Sequence, residues 1–383
     1  MRIYVIAGEA SGDLHGAHLI HALRQQREGL EFRGIGGDRM AAAGMSLLLH
    51  YRHTAFMGFW EVVRHLPRIL QALRQTQADL LRWRPDVLVL IDYPGFNLRM
   101  ARWAHRRGIK VVYYISPQLW AWKPSRVKII RRHVDRLLVI LPFEPLFYEQ
   151  HGVQAFFVGH PLLDALAAQQ PIPSDQRGRL IALLPGSRRQ EVATMLPVML
   201  KAARQISDVQ IEVAGLGTLG KSFYEQFLSS FPEVQLRLDD TYGILGRARA
   251  AVVTSGTATL ETALMNVPQV VCYRGSRLSY WIARRLVRVP YISLVNLIVN
   301  RPLVRELIQQ QMEASNIAAE LHRLINDAAY RSEQLSGYDA LRKLLGEAGA
   351  SERAASHVLQ CAESSASAIF ASPEASLQAH KGN

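Results

Sequence analysis

The sequence predicts an α/β protein built from two Rossmann-like halves, and three observations predict it. Short β-branched and apolar runs alternate with helical patterns along the chain, as in parallel sheets covered by helices. With 383 residues and 49% apolar content, the chain can fill two cores. Several of the strand-like runs stop abruptly at turns rich in small and polar residues, at the carboxyl ends where open α/β sheets bind ligands.

The elements follow in order. In the first half, strands are expected at residues 3–7, 31–35, 87–92, 110–115, 136–140 and 156–159. A polar, proline-containing stretch at 169–178 marks the junction. In the second half, strands are expected at 180–184, 210–214, 235–238, 251–254 and 269–272. This gives domains at 1–170 and 171–349, with the strand ends of both facing an interdomain cleft. A helix at 350–362 can pack back on either domain or on a partner chain, which leaves a homodimer open. Residues 363–383 are rich in Ser and Ala without a periodic apolar face and are expected to be disordered. The chain has no internal repeat.

Composition narrows the functional classes. The net charge is +13, and the excess is clustered. Residues 99–132 hold ten Lys or Arg and no acid, and 274–305 hold seven Arg and no acid. Such patches favour polyanions or anionic membrane surfaces. No recognition-helix pattern, RNP-type aromatic strand or zinc module accompanies them, so phosphate-bearing small molecules or lipid headgroups are expected rather than nucleic acid. No apolar run approaches the ~18–20 residues of a membrane span, and the N-terminal residues do not read as a signal peptide. The two cysteines, Cys272 and Cys361, supply neither a disulfide framework nor a metal-ligand set, which fits a reducing cytosol.

The most informative stretch is 254–262, Thr-Ser-Gly-Thr-Ala-Thr-Leu-Glu-Thr, directly after the run Ala250–Val253. A strand that ends here and restarts as a helix places Ser255, Gly256 and Thr257 at a helix N-terminus, a natural anion site. Glu261, one turn further in, can accept hydrogen bonds from a ribose diol. A well-capped buried helix would look the same. After the first strand of the second half, Pro185-Gly186-Ser187-Arg188 forms a turn that exposes N–H groups, and Arg188 can pair bidentately with a phosphate; a surface arginine after a turn is the plain alternative.

The first half has its own constellations. Gly8-Glu9-Ala10-Ser11-Gly12-Asp13 follows the first strand but is not a dinucleotide fingerprint. Its carboxylates, Glu9 and Asp13, would repel a pyrophosphate and suit sugar hydroxyl or amide groups, although Ser11 or Asp13 would also serve as a helix cap. Asp92 ends the apolar run 87–91, where a carboxylate can take a proton from an acceptor hydroxyl; a turn cap before Pro94 is the alternative. The stretch 56–83 carries apolar residues at helical spacing opposite a basic side. Phe56, Phe59, Trp60, Val63, Leu66, Ile69 and Leu70 would form its membrane or acyl contact, with an ordinary core-facing helix as the alternative. Pro67 would break a long buried helix there. Asn296 can hydrogen-bond a sugar hydroxyl. His15, His18 and His21 lie three apart and read as a solvated helix face. No Asp-x-Asp pair is present to hold a magnesium ion.

Taken in order, Gly8–Asp13, Met57-Gly58, Ile91–Asn97, Ser116-Pro117-Gln118-Leu119-Trp120-Ala121-Trp122, Leu141–Glu144, Val158–Pro161, Leu183–Arg188 and Ser255–Glu261 resemble the bacterial lipid-A-disaccharide synthase family. The resemblance reaches to about residue 310. It implies a GT-B fold and an inverting glycosyl transfer. In that reaction 2,3-diacylglucosamine passes from UDP-2,3-diacylglucosamine to the 6-hydroxyl of 2,3-diacylglucosamine 1-phosphate (lipid X), giving a β(1→6) disaccharide 1-phosphate and UDP. It implies work at the inner face of the cytoplasmic membrane, with no metal and no other cofactor. It also implies Asp92 as the base, Arg188 and Glu261 as UDP ligands, and Glu9, Ser11, Asp13 and Asn296 as further site residues. A UDP-N-acetylglucosamine transferase or epimerase of the same fold is the nearest rival, and a basic nucleic-acid-binding protein the rival from another class.

Overall fold

The computed structural model describes residues 1–53, 66–122, 124–167, 169, 172–275 and 289–369. They form two compact units: Met1–Pro161 together with the chain from Gly349, and Leu162–Ala348.

The first unit is built on a seven-stranded parallel sheet. Its strands are β1 (Arg2–Ala7), β2 (Glu31–Gly36), β3 (Ser46–His50), β4 (Val87–Ile91), β5 (Lys110–Tyr114), β6 (Arg136–Val139) and β7 (Ala155–Phe157). The order is β3-β2-β1-β4-β5-β6-β7, so the winding direction reverses between β1 and β4. Helices cover both faces. Ile3, Val5, Ala7, Val87 and Val89 belong to one core, while Tyr4, Ile6, Leu88 and Leu90 belong to the other. This is why the central strands read as unbroken apolar runs instead of alternating ones.

The chain returns to this unit at its end. The helix Ala350–Ile369 lays Ala354, Ala355 and Val358 against Leu19, Ile20 and Leu23 of the helix Ala10–Gln26. Arg353 Nε donates to the Val158 carbonyl at 2.8 Å, and Gln26 Nε2 to the Glu352 carbonyl at 2.8 Å. The helix runs past residue 362, so 363–369, expected in a disordered tail, are helical instead. Residues 370–383 lie outside the described part of the chain.

The second unit carries a six-stranded parallel sheet of β8 (Leu180–Leu184), β9 (Gln210–Gly215), β10 (Val234–Leu238), β11 (Ala250–Thr254), β12 (Gln269–Tyr273) and β13 (Arg305–Ile308). The order is β10-β9-β8-β11-β12-β13, with the reversal between β8 and β11. The stretch before β8 is anchored, not loose. Ile172 N donates to the Gly246 carbonyl at 3.1 Å. The buried Arg177 guanidinium donates to the carbonyls of Ile172 (2.7 Å), Ala248 (3.1 Å), Met265 (2.8 Å) and Asn266 (2.9 Å). Burial, aided by the Arg249 charge, pushes Arg177 down to about 10.

The helix Leu66–Trp83 follows the core-facing alternative over much of its length. Ala72, Leu73, Thr76 and Leu80 are buried against the first unit, so most of its length is a core-facing helix. Pro67 stands in the first turn of this helix, where a missing N–H breaks no ladder hydrogen bond. Exposed apolar side chains remain at both ends: Leu66 is 41% and Leu70 40% exposed at the start, with Ile69 partly buried, and Leu81 is 53% exposed near the other end. Phe56, Phe59, Trp60 and Val63 lie outside the described residues.

Candidate active site

In the first unit, the reversal between β1 and β4 places Glu9 and Asp92 at the ends of neighbouring strands. The backbone there is unusual. Asp92 and Tyr93 are consecutive non-glycine residues in the left-handed region, with φ of 44° and 49°. Such a pair persists only when its surroundings enforce it. They do. Tyr113 Oη donates to the Asp92 carbonyl at 2.6 Å, and the buried Asn97 Nδ2 donates to the same carbonyl at 2.7 Å and to that of Ile91 at 3.1 Å. The Tyr93 ring lies directly over Gly8, where an added Cβ would stand 2.2 Å from ring carbon. Only glycine permits that approach. The main chain of Asp92 is thereby fixed, and its carboxyl accepts a hydrogen bond from the Tyr93 backbone N–H. Burial, and then the nearby Glu9 charge, push that carboxyl up to about 7.

Two of the expected sugar ligands in this unit separate from the rest. Asp13 is buried and accepts from the N–H groups of Gly37 (2.7 Å), Arg39 (3.1 Å) and Met40 (3.1 Å). Its carboxylate caps the helix Asp38–Ala42, so of the two sequence readings capping applies, though for a different helix. Ser11 is exposed in the first turn of Ala10–Gln26.

In the second unit, the reversal between β8 and β11 opens a cavity of about 420 Å³. Arg188, Ser255, Gly256, Thr257 and Glu261 all line it. The helix Thr257–Leu264 begins at this cavity, so its first N–H groups, which have no partner within the helix, are turned to it. Glu261 is held by Tyr242, whose hydroxyl donates to Oε1 at 2.8 Å, and burial raises its carboxyl above the usual range. Ser255 Oγ donates to the Ile292 carbonyl at 2.9 Å, which leaves its lone pairs for a ligand.

The turn after β8 differs from expectation. Gly186 has φ of 108°, and the Glu191 carboxylate stands 2.8 Å from where a Cβ would be. That carboxylate accepts from the N–H groups of Ser187 and Arg188, both at 3.3 Å, and from Arg188 Nη1 at 3.0 Å. The turn's N–H groups are therefore capped by the Glu191 carboxylate, and Arg188 lines the cavity while paired with it. Asn296 is also corrected. It is 1% exposed; Nδ2 donates to the Val304 carbonyl (2.9 Å) and to Glu306 Oε1 (2.9 Å), and Oδ1 accepts from Val304 N (2.9 Å). Its amide is spent on holding the loop before β13. Tyr242 and Glu191 are the site residues that sequence reasoning missed. Glu191 had a signal in its capping spacing after Arg188; Tyr242 had none, since it meets Glu261 across nineteen residues of chain.

Among the described residues no group of three His, Cys, Asp or Glu is arranged to hold a metal ion. Nor is any described helix long and apolar enough to cross a membrane.

Two parallel-sheet α/β units, with a helix start, a guanidinium and a buried carboxylate lining one cavity at a switch point, define a protein of the GT-B class. Solved structures agree on the fold. The chain is similar to UDP-GlcNAc 2-epimerase from Neisseria meningitidis bound to UDP-GlcNAc, with a TM-score of 0.64 and 13% identity over 94% of this chain and 100% of that one. It is equally similar to the glycosyltransferase of kitacinnamycin, with a TM-score of 0.64 and 15% identity over 94% and 98% of the two chains. Sequence narrows the class to one family: the chain belongs to the lipid-A-disaccharide synthetases, whose family pattern matches residues 3–360. Lipid-A-disaccharide synthase of Geobacter sulfurreducens is 41% identical over 371 residues, covering 94% of this chain and 97% of that protein. That of Myxococcus xanthus is 42% identical over 377 residues, with the same coverage. The protein is thus a glycosyltransferase of lipid A biosynthesis.

Proposed function

We propose that the protein transfers 2,3-diacylglucosamine from UDP-2,3-diacylglucosamine to the 6-hydroxyl of 2,3-diacylglucosamine 1-phosphate, with Asp92 as general base. The acceptor oxygen attacks the anomeric carbon as its proton passes to Asp92. The bond from that carbon to the diphosphate oxygen breaks, UDP leaves with the electron pair, and configuration inverts. Negative charge grows on the diphosphate, and Arg188 with the N–H groups at Gly256 and Thr257 is arranged in advance to meet it. Glu261, oriented by Tyr242, takes the ribose diol. Glu9 borders the acceptor and also keeps the Asp92 carboxyl basic enough to accept a proton near neutral pH.

One observation carries this reading. Five residues picked from the sequence as UDP ligands line a single cavity in a chain of this family. The exposed Leu66 and Leu70 support contact with acyl chains or with the inner face of the cytoplasmic membrane. Incubation with both acylated glucosamines, followed by mass detection, tests the reaction. The expected product is the disaccharide 1-phosphate, with UDP released in equal amount. Transfer from unacylated UDP-N-acetylglucosamine at equal rate, or no disaccharide, would overturn the assignment.

A further inference from the structure

A cavity beside the site in the first unit is not explained by UDP. It measures about 970 Å³ and runs from Glu9 and Tyr93 along the helix Pro94–His105. Its lining combines two chemistries. Gly95, Arg99, Arg102 and Arg106 recur every three or four residues and so share one face of that helix. Arg126 joins them from the neighbouring segment. Glu9 is the one acid among the described residues that line the cavity. Arginines stacked at this spacing repel one another, and the effect extends beyond them: burial first, then the charges of His105, Arg102, Arg106 and Arg132, hold His133 below its ordinary range. Leu66, Ile69, Leu98, Trp103 and Ile129 give it an apolar lining as well.

We infer that this cavity is the acceptor subsite, in which Arg99, Arg102 and Arg106 clamp the phosphate monoester while the apolar lining takes acyl chain. The inference rests on the function proposed above and adds which residues choose the acceptor. Three features of a phosphorylated acylated sugar match three features of the cavity. Its dianion meets guanidiniums that lack lining carboxylates apart from Glu9, its chain meets the Leu66–Ile69 side, and its free hydroxyl comes to the end bordered by Glu9 and Tyr93, next to Asp92. Guanidiniums bind a phosphate monoester through paired N–H groups, which a neutral sugar cannot use. The clamp therefore selects the phosphorylated acceptor.

An anionic phospholipid offers the same pairing of phosphate and acyl chain, so the test separates the two. The variants are Arg102→Ala/Arg106→Ala and, to keep charge while losing the paired geometry, Arg102→Lys/Arg106→Lys. Circular dichroism checks that each is folded. For the alanine pair, KM for diacylglucosamine 1-phosphate should rise by roughly 100-fold, about tenfold for each guanidinium. KM for the UDP donor should not move. With diacylglucosamine lacking the phosphate, parent and variant should perform alike. The lysine pair should fall between them. Calorimetric titration of diacylglucosamine 1-phosphate without donor reads the subsite independently of turnover and should show the same loss. An unchanged acceptor KM, coupled to lost flotation on phosphatidylcholine vesicles containing phosphatidylglycerol, would overturn the inference and assign the clamp to the membrane surface. Absence of disaccharide from the unaltered protein would strike the reaction instead, while acceptor binding in the calorimeter would still uphold the subsite.

Discussion

At the scale of single residues, Asp92 is the proposed base. Its backbone is forced left-handed by Tyr113, Asn97 and the Tyr93–Gly8 contact, and its carboxyl is raised to about 7. A general base must be ionised to act, so kcat/KM should fall by about tenfold per pH unit below that value. Glu9→Gln removes the second cause of the shift, and the acid limb should move to lower pH; an unmoved limb would exclude Glu9 from tuning the base. Asp92→Asn should lower kcat by about 10²–10⁴-fold while leaving calorimetric UDP affinity unchanged. The same raised carboxyl has a stability consequence. Between the ordinary carboxylate value and about 7, the unfolded chain ionises while the folded one stays neutral, so Asp92 opposes folding increasingly as pH rises. Asp92→Asn should therefore be more stable than the parent at pH 8, and that advantage should vanish below pH 4; thermal melts at the two pH values check it.

At the scale of elements, two segments behave differently from their composition. The stretch 172–178 looks like a linker but is tied down, because Arg177 satisfies carbonyls at the ends of two neighbouring helical segments. Arg177→Met would strand those buried acceptors and should destabilise the second unit by roughly 3 kcal/mol in urea unfolding followed by Trp-independent circular dichroism. The helix Leu66–Trp83 divides into a core-facing body and an apolar end. Leu66→Ser with Leu70→Ser should weaken flotation on anionic vesicles without lowering the melting temperature, since both side chains are about 40% exposed. A drop in melting temperature with unchanged flotation would make that end part of the core. Two strands, β3 and β13, escaped the sequence reading. Both are edge strands: Ser46–His50 is a leucine run with little β-branching, and Arg305–Ile308 opens on two charges. Pairing on one side only relaxes the need for the apolar β-branched pattern that marks the central strands.

At the scale of the whole molecule, the first unit is discontinuous in sequence. Its core is completed by a helix that arrives only after the second unit has been traversed. Val358 of that helix is wholly buried among Leu19, Ile20 and Leu23. Val358→Asp should lower the unfolding free energy of the first unit by several kcal/mol and leave UDP affinity, proposed for the second unit's cavity, unaltered. Loss of UDP binding in step with that unfolding would show the two units to be energetically one.

The sequence by itself determined the two parallel sheets, the family, and the cluster of Arg188, Ser255–Thr257 and Glu261. These are local features: apolar runs fix buried strands, and a strand that breaks into Ser-Gly-Thr fixes a helix start at the strand's end. Tertiary structure alone decided which polar residues remained available. Asp13 carries the same carboxylate as Glu9 and Asp92, and Asn296 an amide suited to hydroxyls, yet folding brings backbone N–H and C=O groups to them and consumes their hydrogen-bonding capacity. Whether a buried polar side chain serves the fold or a ligand depends on what chain packs beside it, and that neighbour lies far away in sequence.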